Sequence, residues 1–92
     1  MPAEPLLRQL SRIYGQPLDS PASARQAVEA APETLAAALV AEAAENDDVA
    51  DDQAALAYCE ARLAELADLT GQAAPAIRAA CRARIARWAT LG

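Results

Sequence analysis

Apolar positions recur at helical spacing along most of the chain. Leu6, Leu7, Leu10, Ile13 and Tyr14 follow the i, i+3, i+4, i+7, i+8 stripe of an amphipathic helix. Pro5 stands at its start, where a missing N–H costs nothing, and Gly15 stands at its end. Gln16-Pro17-Leu18-Asp19 reads as a connector. Ser20-Pro21 is an N-cap followed by a first-turn proline. It opens a short helix to about Ala31 with Ala24, Ala27, Val28 and Ala31 on its apolar side. Pro32 begins a third helix, which carries Leu35, Leu39 and Ala43 and stops near Asn46.

The most regular pattern follows. Val49, Leu56, Leu63 and Thr70 recur every seven residues, and Asp52, Cys59 and Leu66 occupy the other seam position. This predicts a long fourth helix over 48–70, capped by Asp47 or Asp48 and ended by Gly71. After a turn over Gly71–Ala74, Pro75 opens a fifth helix to about residue 90. Its single stripe is Ile77, Cys81, Ile85 and Trp88. So short a turn makes the last two helices antiparallel neighbours. The predicted fold is one all-α domain over residues 1–92, a small bundle of about five helices built on that hairpin. Leu56, Cys59, Leu63, Leu66, Ile77, Cys81, Ile85 and Trp88 are its expected core and interface residues. A hairpin centred near residue 72 sets Leu56 near Trp88, Leu63 near Cys81, Leu66 near Ile77 and Glu60 beside Arg84. It leaves the two thiols about one turn apart.

Composition strengthens the helical reading and narrows the chemistry. Of the 92 residues, 27 are alanine, the best helix former, and none is His, Lys or Phe. The usual general base, proton shuttle and metal ligand is therefore missing. Large apolar residues are few, so the core is thin for the chain length and a partner is expected to cover part of the helical surface. Eight arginines against 13 acids give a net charge of −5, which disfavours nucleic acid and anionic membrane as partners. No apolar run is long enough to span a bilayer. The start, Met1-Pro2-Ala3-Glu4-Pro5, lacks the features of a signal peptide, so a cytoplasmic protein is expected. The alanine- and arginine-rich, lysine-free composition suggests a bacterial or phage source.

The charges are blocked. Residues 47–70 hold seven acids and one Arg, while residues 71–92 hold four Arg and no acid. The blocks match the helix dipoles and complement each other across the hairpin. Within the acidic block, Asp48, Asp51 and Asp52 are carboxylates spaced to hold Mg²⁺. The string resembles the aspartate-rich motif of isoprenoid synthases, but a chain of this length cannot enclose the cavity those enzymes need. First-turn capping explains these aspartates more simply. Asp52 alone falls on the seam face, where a carboxylate must be paired or at the wet end of the bundle.

Glu42-x-x-Glu45 and Glu65-x-x-Asp68 set paired carboxylates on neighbouring helices. This arrangement resembles the all-α nucleotide pyrophosphohydrolases of the MazG-like class. The resemblance implies that Glu42, Glu45, Glu65 and Asp68 bind Mg²⁺ and activate water against a nucleoside triphosphate. The first Glu of that family's E-E-x-x-E is Ala41 here. Helical geometry also turns Glu65 and Asp68 away from the seam. A second similarity spans 48–88. Val49-Ala50-Asp51-Asp52, Ile77-Arg78-Ala79-Ala80-Cys81 and Ile85-Ala86-Arg87-Trp88 are similar to the helical part of Mu-like phage head–tail connector proteins. It implies a structural adaptor.

Cys59 and Cys81 sit on facing stripes and read as buried, reduced core thiols. Two thiols without His make no structural zinc site. The expected role is a non-catalytic interaction or adaptor module that associates with itself, with no cofactor and no metal. The alternatives are the Mg²⁺-dependent pyrophosphohydrolase, and a phage adaptor or small acidic inhibitor. Alanine-rich faces such as Ala36–Ala43 and Ala54–Ala61 suit close helix contact across an interface.

Overall fold

Proline and serine punctuation divides the first half of the chain where the sequence predicts. The computed structural model describes the backbone of residues 4–91 and the side chains of residues 4–87. Helix α1 spans Glu4–Tyr14, α2 Pro21–Ala30, α3 Pro32–Glu45 and α4 Asp52–Glu65. A single turn, α5, covers Ala67–Thr70. A 3₁₀ turn at Gly71–Ala73 then leads into α6, Ala74–Leu91. Every regular element among the described residues is helical, and the fold is a small all-α bundle.

Local chemistry sets the helix ends. The Ser20 hydroxyl accepts the Ser23 N–H at 3.1 Å, and the Ser23 hydroxyl accepts the Ser20 N–H at 3.2 Å. This is a capping box with serine in the place usually held by Glu or Gln. Ala31 joins α2 to α3 with φ −143 and ψ 68, outside the helical region that a following proline disfavours.

Helix α3 forms the centre. Leu35, Ala36, Leu39, Val40 and Ala43 are all buried, and α1, α2, α4 and α6 pack around it. Small side chains permit the close approach: Cys81 Sγ of α6 lies 3.9 Å from the Ala36 carbonyl oxygen. The Ala36–Ala43 face is therefore used inside the bundle rather than across an interface. From α4 and α6 the core receives Ala55, Cys59, Leu63, Ile77, Cys81 and Ile85, with Leu66 and Leu69 from the connection.

The fourth helix is shorter than the heptad pattern predicts at both ends. Its N-cap is Asp51, not Asp47 or Asp48, and the Asp51 carboxylate accepts the Ala54 N–H at 2.8 Å. The residues before it close a turn instead. Asn46 accepts the Asp48 N–H on its side-chain oxygen at 2.9 Å and the Val49 N–H on its backbone oxygen at 3.0 Å. Asparagine competes with helix in this way by binding its own backbone. At the other end Leu66 takes φ −95 and ψ 10, which breaks the helix. The bend places Leu66, Leu69 and Thr70 in the core together. Gly71 then takes φ +56 and ψ −129, a conformation suited to glycine.

This connection changes the hairpin register. Glu60 pairs with Arg78 at 2.6 Å, not with Arg84. Cys59 and Cys81 face each other in the core rather than lying one turn apart. The residues spent on the bend and the 3₁₀ turn shift α6 along α4. Leu56 is only partly buried. The side chain of Trp88, and with it the expected Leu56–Trp88 contact, lies outside the described residues.

Candidate functional site

Helices α1 and α4 both pack on α3, and a groove runs between them. It is lined by Gln9, Arg12 and Ile13 of α1, Glu42 of α3, and Tyr58 and Arg62 of α4, with a volume near 610 Å³. The positions follow from helical spacing. Tyr58 and Arg62 are one turn apart on the flank of the Ala55–Cys59–Leu63 core stripe, and Glu42 is one residue before buried Ala43.

Arg62 organises the polar side of the groove. Its Nε donates to Glu42 Oε1 at 3.2 Å and its Nη2 to Gln9 Oε1 at 2.6 Å. Its Nη1 donates to Glu65 Oε2, one turn along the same helix. The Tyr58 hydroxyl donates to the same Glu42 oxygen at 2.9 Å. One guanidinium thus ties α1, α3 and α4 together, with its side chain only 13% exposed. Its fork of donors suits several acceptors at once. Burial works against the Arg62 charge, but Glu42 and Glu65 outweigh it and hold the guanidinium more firmly protonated than usual. Burial, and then the adjoining Glu42 carboxylate, raise the Tyr58 phenol above its ordinary range.

This network occupies the place that carboxylate spacing assigns to a metal. Glu42 and Glu65 are brought together, but on Arg62. Glu45 is exposed on the last turn of α3. Asp68 is exposed on α5, and its backbone carbonyl accepts Arg25 Nη1 at 3.0 Å. The four acids do not converge. Asp48, Asp51 and Asp52 are exposed as well, so Asp52 reaches solvent rather than the seam. Asp51 caps α4, and Asp52 Oδ1 accepts the Gln53 N–H at 3.1 Å. Among the described residues no group of three or more Asp, Glu or Cys side chains is placed to hold a metal ion.

Cys59 and Cys81 are free thiols, each 2% exposed. The close approach of the two thiols lowers Cys59; the same approach, with burial, pushes the Cys81 thiol far up. Leu63, Leu66, Ile77 and Ile85 lie with them in the core. Gln9, Arg12 and Arg62 are the site residues that sequence patterns alone did not single out. The available signal was Arg62 itself, the one base among the seven acids of residues 47–70.

No described helix is long and apolar enough to cross a membrane. No protein-family model, no curated protein and no solved structure matches this chain.

Proposed function

We propose that this chain is a non-catalytic protein-interaction module that associates with itself. One observation carries the reading. Leu6, Ile13, Tyr14, Val49, Leu56 and Tyr58 pack against the core yet remain only partly buried. The core they extend is thin: six of its 20 buried apolar residues are alanine. A partner surface that removed those six side chains from water would add roughly 25 cal/mol for each Å² of apolar area covered. The use of the polar groups supports the same reading. Arg62, Glu42, Glu65 and Tyr58 satisfy one another across three helices, which is a structural employment of the side chains best suited to chemistry.

Sedimentation equilibrium across the micromolar range tests the proposal. A mass above one chain that rises with concentration is the expected result. A strict monomer throughout removes the self-association. Mg²⁺-dependent hydrolysis of a nucleoside triphosphate, lost in Glu42→Ala and in Asp68→Ala, removes the non-catalytic assignment.

A further inference from the structure

We infer that Cys59 and Cys81 form a reversible dithiol–disulfide pair, a modification site at which hydrogen peroxide cross-links α4 to α6. The inference goes beyond the interaction role and does not depend on self-association.

The chain has two cysteines, and the fold brings them together although the heptad spacing sets them apart. The bend at Leu66 and the 3₁₀ turn slide α6 along α4 until Glu60 pairs with Arg78 at 2.6 Å. Cys59 is the residue before Glu60, and Cys81 is one turn beyond Arg78. That register puts both on the facing stripes of the two helices, each 2% exposed. Small Ala36 lets α6 settle deeply, with Cys81 Sγ 3.9 Å from the Ala36 carbonyl oxygen. Leu63, Ile77 and Ile85 share the same core. A disulfide forms without cost to the backbone only where the two side chains already meet. The close approach of these free thiols satisfies that condition.

The surroundings give the two thiols different parts. Burial disfavours both thiolates, but the approach of Cys81 lowers Cys59 while Cys81 itself is pushed up. Cys59 is therefore the nucleophile and Cys81 the resolving thiol. The Cys59 thiolate attacks one peroxide oxygen. The O–O bond breaks, and the departing hydroxide takes up the proton that Cys59 released. Cys59 is left as a sulfenic acid. The Cys81 sulfur then attacks the Cys59 sulfur. The S–S bond forms as the S–O bond breaks, and the hydroxyl leaves as water with the Cys81 proton. The thiols lose two electrons in all, and one hydrogen peroxide becomes two waters. An oxidant this small suits a pair this deeply buried. A small thiol reverses the change by exchange.

Peptide mapping without reduction, after brief exposure of the native full chain to equimolar hydrogen peroxide, tests the pair. The expected product is a single chain lighter by two hydrogens, with Cys59 and Cys81 in one linked peptide. It should melt roughly 5 °C above the reduced chain, and dithiothreitol should return it to the lower value. Cys81→Ala should stop at a Cys59 sulfenic acid that dimedone traps. Cys59→Ala should react with peroxide roughly tenfold more slowly than Cys81→Ala. Circular dichroism checks that both variants fold; where one does not, the wild-type map alone decides. Thiols that stay free in the native chain while the unfolded chain is oxidised overturn the inference. So do a link between two chains and a sulfinic acid in place of the disulfide. Equal rates in the two variants overturn the assignment of Cys59 as nucleophile.

Discussion

Arg62 Nε lies 3.2 Å from Glu42 Oε1, so the single base of the acidic stretch is held by a carboxylate whose spacing suggests a metal ligand. The pair spans α4 and α3, and Gln9 extends it to α1. Glu42 keeps 36% of its side chain exposed, so solvent screens part of the attraction. Arg62→Met should destabilise the fold by about 1–2 kcal/mol, through lost charged hydrogen bonds. A double-mutant cycle with Glu42→Gln should give a coupling of about 0.5–1 kcal/mol in urea melts. A coupling of zero would show that Arg62 does not draw its support from α3.

The two phenols make stability fall in alkali. Burial raises Tyr14, and burial with the Glu42 carboxylate raises Tyr58, above the ordinary phenol value of 10.0. The folded chain then holds these protons more tightly than the unfolded chain. Their contribution is complete below about pH 10 and is lost as pH rises through the folded values. Urea midpoints should decline above that pH. Tyr58→Phe should be less stable than wild type at neutral pH and should show a shallower alkaline decline. An equal decline in both proteins would remove Tyr58 as a cause.

Much of this arrangement was legible in the sequence, and the losses have specific causes. Prolines 21 and 32 and the serine cap mark α2 and α3 because each acts within one turn of chain. The core stripe of Cys59, Leu63, Leu66, Ile77, Cys81 and Ile85 was legible because burial follows helical period. The heptad pattern overextended α4, because Asn46 and Asp51 can satisfy backbone groups outside a helix and periodicity does not register that competition. The break at Leu66 depends on where three side chains find a core, which is a tertiary effect. Its consequence, Glu60 with Arg78 in place of Arg84, followed from counting residues across a turn of unknown shape. The groove was missed because its residues come from three helices, and Gln9 and Arg62 are 53 positions apart.

Gly71 is required by its conformation, and the flexible end of Glu29 stands where a side chain would begin. Its φ is +56, and a Cβ there would lie 2.5 Å from the Glu29 carboxylate. Gly71→Ala should destabilise by about 1–3 kcal/mol, combining backbone strain with displacement of Glu29. Adding Glu29→Ala should relieve the contact but leave the strain, so the two effects should be less than additive. Strict additivity in thermal melts would show that Glu29 moves aside freely.

Burial should separate the two seam leucines of α4. Leu63 is 5% exposed and Leu56 is only partly buried. Leu63→Ala should cost about 2–4 kcal/mol and Leu56→Ala about 1 kcal/mol or less in the monomer. If Leu56→Ala costs as much as Leu63→Ala, Leu56 is covered by something outside the chain, and the cost should then depend on protein concentration.

The clasp of α2 on the turn before α6 bears on the order of assembly. Arg25 holds the Asp68 carbonyl and Glu29 holds the Gln72 N–H, each across 43 positions. The bend between α4 and α6 is thus secured by residues that leave the ribosome well before it does. Closing that long loop costs chain entropy that the completed clasp must offset. A fragment starting after α3 would carry the helices of the hairpin without the clasp that fixes their register.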